Sequence, residues 1–327
     1  MSDTLLEVKD LVIHYFTDGK EACAVNGLSF SLDHQEVIGF VGETGAGKTT
    51  TALGIMGLVP NPPGRVLNGE VMFEGRDLLK LNEAEMQKIR GNKITMIFQD
   101  PMTSLNPVLT VGDQIAEVVL LHNKISKAEA MERAKKMLEM VGIPGSRCTD
   151  YPHQFSGGMK QRVVIAIALA CNPTLLIADE PTTALDVTIQ AQVLDLMRKL
   201  KNDLKTSMIM ITHDLGVVAE ICDKVAIVYG GEVVECGTLQ EIFEDRKHPY
   251  ADGLFKSIPD LDVDVPRLHV IKGMMPDPTE LPAGCKFHPR CPYAKEICAQ
   301  QNPAAVNLTE THSVKCHRFN ENVAEGS

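Results

Sequence analysis

Two segments near the start of the chain alternate apolar and polar residues. Leu5–Tyr15 and Ala24–Leu32 follow a period of two, which predicts two antiparallel strands. Val37–Val41 and Ile94–Phe98 are compact apolar runs and are predicted to be strands as well. A helix is expected from Lys48 to about Leu58, directly after a glycine-rich turn. The first part of the chain is therefore predicted to be rich in strands.

The pattern changes to helical spacing between residues 108 and 170, as in Ala128–Val141, and this predicts a helical insert. Short apolar strands return at Leu175–Ala178, Met208–Thr212 and Val225–Val228, with a helix from about Thr188 to Leu204 between the first two. Strands that alternate with helices favour a parallel sheet covered on both faces. The predicted class is α/β, with an antiparallel N-terminal β subdomain beside this core.

The last part of the chain has a different composition. Gly230 and Gly231 separate two apolar runs, which is typical of a β-hairpin. Beyond Phe243 proline becomes frequent, with eight prolines between Pro249 and Pro292. We therefore predict a first domain over residues 1–247 and a C-terminal extension over residues 248–327, with no internal repeat.

Composition narrows the class of protein. The 327 residues are 44% hydrophobic and 23% charged, which suits a globular protein with a sizeable core. A net charge of −11 makes broad nucleic-acid binding a poor explanation, because such binding uses Lys and Arg to neutralise phosphates. No secretory signal is visible, and the longest apolar run, Val163–Cys171, is far shorter than the ~20 residues of a membrane span. A function at a membrane would need other chains to cross it.

The turn after Val37–Val41 has the P-loop pattern, between an apolar strand and a predicted helix. The predicted ATP-binding residues here are Gly42, Glu43, Thr44, Gly45, Ala46, Gly47, Lys48, Thr49 and Thr50. Glycines let backbone N–H groups turn towards phosphate oxygens, and the helix start adds partial positive charge. Lys48 can reach the β and γ phosphates, and the Thr49 hydroxyl can bind Mg²⁺. Alone, the motif indicates an NTPase.

Polar residues follow three of the predicted strands. Asp179 and Glu180 end an apolar strand, where Asp179 suits Mg²⁺ and Glu180 suits proton abstraction from water. His213 and Gln99 end two further strands. The carboxyl ends of parallel strands form the ligand crevice of such a sheet, so these residues are expected beside the P-loop.

Phe155–Arg162 resembles the signature motif of ABC ATPases, with Ser156, Gly157, Gly158 and Met159 at its centre. Phe155 stands where the family usually has leucine. Met159 and Lys160 stand where it usually has glutamine. The resemblance covers about residues 1–245 in full motif order. It implies a P-loop (RecA-like) core and a head-to-tail pair of subunits, in which each ATP lies between one P-loop and the partner's signature.

The resemblance also implies roles for single residues. Gln99 senses Mg²⁺ and the membrane partner, Asp186 belongs to a loop that crosses the dimer, and His213 contacts the γ-phosphate. Tyr15 resembles the aromatic that stacks on adenine, with Phe16 as its possible substitute.

A narrower resemblance is to importers of dipeptides, oligopeptides and nickel. It rests on residues 98–107, on His248-Pro249-Tyr250 and on Ser257-Ile258-Pro259. It implies a peripheral ATPase at the cytoplasmic face of the membrane. Its expected partners are a second, paralogous ATPase subunit, two transmembrane permease subunits and an extracytoplasmic substrate-binding protein. Peptide is the favoured cargo and nickel the alternative.

Four of the nine cysteines lie within 32 positions of the extension, at Cys285, Cys291, Cys298 and Cys316. Four thiolates suit Zn²⁺ or an iron–sulfur cluster, and their spacing does not choose between them. The resemblance to peptide importers implies a [4Fe–4S] cluster with a structural role. Residues 284–318 carry five Lys or Arg and two Asp or Glu, a net charge of +3 that would offset an anionic cluster. Reduced free thiols remain the plain alternative. His288, His312 and His317 are possible substitute ligands, but we expect them at the surface.

Three other classes of protein are alternatives to a transporter ATPase. An iron–sulfur ABC factor acting on ribosomes carries two cassettes and N-terminal clusters, whereas this chain has one cassette and C-terminal cysteines. A DNA-repair ABC ATPase interrupts its cassette with a long coiled coil, and no heptad run occurs here. A simple P-loop kinase or GTPase would leave the signature segment unexplained.

Overall fold

The computed structural model describes residues 4–99, 104–183, 185–257 and 270–320. The chain divides into two compact units. Of the described residues, one unit contains those within Asp33–Val37 and Lys80–Ile211. The other contains Thr4–Leu32, Ile38–Leu79 and the described part of the chain after Ile211, so it combines early and late segments of the sequence.

The strands, in chain order, are β1 (Thr4–Thr17), β2 (Lys20–Asp33), β3 (Val37–Val41), β4 (Gly64–Phe73), β5 (Arg76–Asp77), β6 (Ile94–Ile97), β7 (Leu175–Asp179), β8 (Ser207–Thr212), β9 (Lys224–Tyr229), β10 (Glu232–Thr238), β11 (Ala305–Asn307) and β12 (Ser313–Lys315).

The α-helices are α1 (Lys48–Ile55), α2 (Glu83–Ile89), α3 (Val111–His122), α4 (Lys127–Met140), α5 (Gly157–Leu169), α6 (Val187–Leu204), α7 (Leu215–Ile221), α8 (Leu239–Asp245), α9 (Pro249–Lys256) and α10 (Glu296–Gln300). Short 3₁₀ helices occur at Leu78–Lys80, Gly145–Thr149, Pro152–Gln154, His288–Arg290 and His317–Phe319.

The N-terminal strands form an antiparallel sheet in the order β2-β1-β4-β5. Leu6 of β1 pairs with Phe73 of β4, and Tyr15 pairs with Gly64 at the other end. The alternation in the sequence is explained by this sheet, since Leu6 and Val8 are buried while Lys9 is exposed. The predicted antiparallel start of the chain is confirmed.

The same unit contains a second set of strands, in the order β11-β12-β10-β9-β3. Parallel pairing joins Ile38 of β3 to Lys224 of β9, and β9 and β10 form the predicted hairpin. Gly230 and Gly231 turn this hairpin with φ values of 57° and 79°. The extension then contributes β12, which pairs with β10 through Glu235 and Val314.

In the other unit, β6, β7 and β8 are parallel neighbours. Each is an apolar run with almost no exposed side chain, as expected for strands covered on both faces. The predicted helical insert is confirmed as α3, α4 and α5. Its helix starts are capped by Thr110, Ser126 and Ser156, whose side chains accept backbone N–H bonds. Among the described residues, no helix combines the length and the hydropathy that a membrane span requires.

The first helix is shorter than the sequence suggested. We expected it to reach about Leu58, but α1 ends at Ile55. Gly57 adopts a left-handed φ of 60°, and its N–H bonds the carbonyl of Gly54 while the Leu58 N–H bonds that of Leu53. This pair of bonds is the Schellman closure, which glycine favours because it has no Cβ. The ends of the remaining predicted elements differ from the observed bounds by at most four residues, the largest difference being the start of β2 at Lys20 and not at Ala24.

Candidate active site

The P-loop, Gly42–Thr49, joins β3 to α1 and lies close to neighbouring backbone. Gly45 and Gly47 have φ values of 85° and 100°, which side chains rarely adopt. A Cβ on Gly47 would lie 2.4 Å from the Ala24 carbonyl oxygen, and one on Gly42 would lie 2.2 Å from that of Val228. Glycine is therefore required at both positions by space, independently of any ligand.

Positive charge is concentrated where this loop enters α1. Lys48 is buried, and its Nζ donates to the carbonyl oxygens of Gly42 at 2.6 Å and Glu43 at 3.0 Å. Gly47 is the N-cap of α1 and supplies no side-chain cap, so the helix N–H groups point into the loop. The Thr49 side chain is exposed next to them. A buried cation at a helix N-terminus forms an anion site suited to phosphate.

His213 lies in the same unit as the P-loop. It follows Thr212, the last residue of β8, and lines one cavity together with Gly42 and Glu43. His213 was predicted to lie beside the P-loop, and the two line the same cavity. Asp214 follows as the N-cap of α7, where its carboxylate accepts the Gly216 N–H at 2.8 Å.

Two candidate catalytic residues meet in the other unit. Gln99 Nε2 donates to Glu180 Oε2 at 2.9 Å, and Thr183 Oγ1 donates to the same oxygen at 2.9 Å. Glu180 has a φ of 47°, and its N–H donates to the carbonyl of Ile211. Asp179, one residue earlier, is buried at the end of β7. The Glu180 carboxylate thus accepts hydrogen bonds from two side chains, Gln99 and Thr183, while its backbone is held by Ile211, an arrangement that suits a general base.

The signature residues lie at the start of α5. Ser156 is the N-cap, with Oγ 3.4 Å from the Met159 nitrogen, and both Ser156 and Gly157 are exposed. Gly158 packs so closely on α6 that a Cβ would lie 2.5 Å from Ile189 Cγ2. Asp186 caps α6 by accepting the Ile189 N–H at 2.9 Å. The exposed helix start can offer N–H and hydroxyl donors to a ligand from outside the unit.

A buried glutamine that the sequence analysis did not single out links the signature helix to the segment after Glu180. Gln161 Nε2 donates to the Pro181 carbonyl at 2.5 Å, and the side chain is 1% exposed. The sequence carried little signal for it, because Gln161 stands between Lys160 and Arg162 in the polar first part of the helix.

The predicted adenine contact, Tyr15, is half-buried near the end of β1. Its Cε1 would lie 2.8 Å from a Cβ on Gly64, so only glycine fits beside the ring. Phe16, the weighed substitute, is more exposed and carries the Arg65 guanidinium 5.3 Å from its ring centre.

The four cysteines of the extension lie near one another. Burial raises the pKa of Cys285 to about 11, and the other three thiols add to the rise. Burial also raises the pKa of Cys291 and Cys316. These three thiols accept hydrogen bonds from the backbone N–H two residues on, and Cys298 Sγ lies 3.5 Å from the Lys295 nitrogen. Backbone N–H groups directed at sulfur are typical surroundings of metal-bound thiolates.

The expectation that the nearby histidines lie at the surface is wrong for two of them. His312 is 2% exposed, with Nε2 2.7 Å from Glu235 Oε1, and His317 is 8% exposed, with Nε2 2.9 Å from the Gln301 carbonyl. Packing of β12 and of the following 3₁₀ helix buries both rings. His288 is half-buried, with Nδ1 2.9 Å from the Cys285 carbonyl.

Comparison with known proteins places this geometry in a family. A family model described as ABC transporter matches residues 25–183, and one described as oligopeptide/dipeptide transporter, C-terminal region, matches residues 234–298. The first model lies within the predicted first domain, and the second covers the end of that domain and the extension up to Cys298.

Relatives match over nearly the whole chain. The oligopeptide transport ATP-binding protein OppD of Bacillus subtilis is 54% identical over 314 residues, 95% of this chain and 88% of that protein. OppD of Escherichia coli is 51% identical over 304 residues, 92% of this chain and 90% of that protein. The dipeptide transport ATP-binding protein DppD of Bacillus subtilis is 48% identical over 316 residues, 96% of this chain and 94% of that protein.

Solved structures agree with the fold and with its chemistry. A dimeric ATP-binding cassette in a post-hydrolysis state, bound to ADP and phosphate, superimposes with a TM-score of 0.65 at 28% identity. It covers 72% of this chain and 99% of its own. CbiO1 of Clostridium perfringens, part of an ABC transporter complex, gives a TM-score of 0.65 at 27% identity over 75% of this chain and 92% of its own. The chain therefore belongs to the ABC transporter family, as an ATPase of its oligopeptide/dipeptide transporter group.

Proposed function

We propose that this chain is the ATP-hydrolysing subunit of an importer that carries dipeptides and oligopeptides across the cytoplasmic membrane. The observation that carries the proposal is the match to peptide-transporter relatives across both the cassette and the C-terminal region, residues 25–183 and 234–298. ATPases of other transporters share the cassette, so the C-terminal region is what favours peptide as the cargo.

ATP binds at the P-loop in this proposal. Lys48 and the N–H groups at the start of α1 hold the β and γ phosphates, and Tyr15 stacks on adenine. Mg²⁺ is held by Thr49 and Gln99, with Asp179 supporting its coordination shell. His213 contacts the γ-phosphate, which is supported by its place in a cavity shared with Gly42 and Glu43.

Hydrolysis is assigned to Glu180. Its carboxylate takes a proton from the attacking water, so that a hydroxide reaches the γ-phosphorus while the bond to the β-phosphate oxygen breaks. The hydrogen bond from Gln99 Nε2 supports this role, since it orients the base and joins it to a residue that faces the membrane partner by resemblance.

The second phosphate-binding surface acts on the partner's nucleotide. Ser156, Gly157, Gly158 and Met159 receive the γ-phosphate bound to the other subunit, and Asp186 belongs to the loop that crosses between subunits. Exposure of Ser156 and Gly157 supports this role. Moving the pair from mostly open to mostly closed takes roughly 5.5 kcal/mol of differential binding, which charged contacts made only in the closed state can supply.

The assembly comprises a second ATPase subunit, a paralogue of this chain, with two transmembrane permease subunits and an extracytoplasmic substrate-binding protein. This chain lies at the cytoplasmic face of the membrane. Closing of the ATPase pair moves the surface near Gln99 and so drives the permeases.

A [4Fe–4S] cluster bound by Cys285, Cys291, Cys298 and Cys316 is part of the proposal. The backbone N–H groups directed at three of these sulfurs support it. When bound, such a group would keep the thiols deprotonated and crosslink the extension. Its role here is structural.

Metal and sulfide analysis tests the cluster. Protein purified without air should hold about four iron and four sulfide per chain and absorb visible light. Cys298→Ser should lose most of both, whereas Cys171→Ser, a half-buried thiol outside the group, should keep them. One equivalent of zinc and no sulfide would rule the cluster out.

Transport by the purified complex tests the cargo. The chain, tagged and purified with its subunits, is reconstituted in vesicles that contain ATP, with the binding protein outside. A radiolabelled tripeptide should be transported in an ATP-dependent manner by the wild type and not by Lys48→Ala, and Ni²⁺ should not be transported. Uptake of Ni²⁺ without peptide would overturn the peptide assignment.

A further inference from the structure

Glu43, the second residue of the P-loop, is held by groups from the far end of the chain. Its carboxylate accepts two hydrogen bonds from Arg290, with Nη1 2.7 Å from Oε2 and Nη2 3.0 Å from Oε1. Its backbone N–H donates to Tyr250 Oη at 2.9 Å. The paired contact is the two-pronged geometry in which guanidinium binds carboxylate most specifically.

Arg290 is itself fixed on several sides. Its side chain is 7% exposed, Nη1 lies 3.3 Å from Tyr229 Oη, and Nε donates to the Lys272 carbonyl at 3.1 Å. All three guanidinium nitrogens therefore have partners. The Glu43 side chain is 29% exposed. A pair this well ordered differs from an ordinary surface ion pair, which contributes little.

The segment that carries Arg290 is anchored to the folded core. Phe287 is 2% exposed, and its ring centre lies 5.2 Å from Tyr229, 5.4 Å from Tyr250 and 5.7 Å from His248. Arg290 ends the 3₁₀ helix that begins at His288, and Cys291 follows it directly. The contact to Glu43 thus rests on a rigid aromatic cluster that also adjoins the four-cysteine group.

The loop has a physical reason to benefit from this contact. Its glycines leave the backbone free to move, and a phosphate site binds tightly only if its N–H groups are held in position beforehand. The bonds from Arg290 and to Tyr250 hold Glu43, and with it the start of the loop, in one position.

We propose that Arg290 is a positioning residue for nucleotide binding, so that the cysteine-bearing extension holds the P-loop of its own chain through Glu43. The proposal rests on Gly42–Thr49 being the ATP-binding loop. It adds that the extension is part of the nucleotide site, and that structural integrity around Cys285 and Cys291 determines how well that site is formed.

The test measures binding of a fluorescent ATP analogue to the full-length chain, together with KM and kcat for ATP in the assembled transporter. Arg290→Ala and Glu43→Gln should each raise the Kd of the analogue and the KM for ATP about tenfold, and kcat should change less than about twofold. The double variant should bind no more weakly than Arg290→Ala alone, since both changes remove one contact. Arg290→Lys should restore part of the affinity, because it returns the charge without the two-pronged geometry.

Lys315→Ala is the matched control. Lys315 also joins the extension to the core through an ion pair, with Nζ 3.0 Å from Glu232 Oε2, but it does not contact Glu43. Its Kd and KM should stay at wild-type values. Glu43 is the more exposed of the two partners, so Glu43→Gln should fold normally. It therefore tests the contact even if Arg290→Ala folds poorly.

Three results would overturn the proposal. The first is a Kd for Glu43→Gln equal to that of the wild type. The second is a loss of affinity in the double variant that equals the sum of the two single losses. The third is a loss of affinity in Lys315→Ala as large as that in Arg290→Ala. Failure of the underlying assignment is distinguishable, because the wild type would then not bind the analogue, or Lys48→Ala would bind it as well as the wild type does.

Discussion

At the scale of single residues, the P-loop depends on glycines, which have no Cβ, as much as on side chains. Gly42 and Gly47 lie where a Cβ would overlap a carbonyl oxygen of β9 or β2. Gly47 also has a φ of 100°, outside the range of ordinary residues. The P-loop conformation is therefore imposed by close approach of backbone to backbone, with Lys48 bonded to the carbonyls at the start of the loop.

We predict that Gly47→Ala weakens ATP binding more than the cost of its left-handed φ alone would, because the new Cβ also overlaps neighbouring backbone. The new Cβ would lie 2.4 Å from the Ala24 carbonyl oxygen, so the loop must move. The Kd of a fluorescent ATP analogue should rise at least about tenfold. Gly19→Ala is the control, because Gly19 has a φ of 75° but open space around it, and it should lose only about 1 kcal/mol of stability. Equal affinity in the two variants would contradict the steric account.

At the scale of elements, α9 connects the cassette to the extension. His248 is its N-cap, and the buried Nδ1 accepts the Tyr250 N–H at 3.1 Å. The His248 backbone N–H donates to Glu235 of β10 at 2.8 Å. Tyr250, two residues on, then reaches the Glu43 nitrogen. One short helix thereby ties β10 to the P-loop, which explains why His248-Pro249-Tyr250 is a recognisable segment.

We predict that His248 makes folding pH-dependent. Burial lowers the pKa of His248 from 6.5 to about 3, so between these values the unfolded chain binds a proton that the folded chain does not. The contribution of His248 to the free energy of unfolding should be constant above pH 6.5. It should decrease as the pH drops towards 3, by about 1 kcal/mol between pH 7.5 and pH 5.5.

Urea denaturation at those two pH values measures this effect. His248→Asn keeps a cap acceptor without titrating, so its stability should fall less than that of the wild type on acidification. His34→Asn, which changes an exposed histidine, should behave like the wild type. An identical pH dependence in the wild type and His248→Asn would contradict the prediction.

At the scale of the whole molecule, the candidate residues are shared between the two compact units. The P-loop, Tyr15, His213 and the four cysteines belong to the unit that combines both ends of the chain. The other unit holds Gln99, Glu180 and the signature segment, together with Asp179 and Asp186. Each unit thus holds part of the predicted chemistry.

We predict that Glu180→Gln separates closure from hydrolysis in the assembled transporter. The amide retains the size of the side chain but cannot accept the proton from water, so hydrolysis should fall by about 10²-fold or more while ATP still binds. The transporter should then stay in its ATP-bound, closed form, which phosphate release and nucleotide retention on a sizing column measure together. Glu310→Gln, at an exposed position of the extension, should hydrolyse ATP as the wild type does. Unchanged turnover in Glu180→Gln would refute the assignment of the base.

The sequence by itself determined the elements whose causes are local. Period-two alternation identified β1 and β2. The P-loop and signature patterns marked two segments that are predicted to bind phosphate, and residues at the ends of apolar strands marked Gln99 and Glu180 as candidates. These signals are readable because the residues that produce them lie within a few positions of one another, where backbone geometry dictates spacing. Gly57, which ends α1 early, was also a local signal, although we expected the helix to run past it.

Only the tertiary structure decided which distant residues touch. The Arg290 contact to Glu43 joins positions 247 residues apart, and the Glu235 contact to His312 joins positions 77 apart. Burial of His312 and the link from Gln161 to Pro181 are of the same kind. No pattern along the chain encodes such pairs, because they depend on how whole elements pack, and many arrangements of the same elements would satisfy the same local rules. The extension's hold on the nucleotide loop is therefore a property of the folded chain and not of any motif.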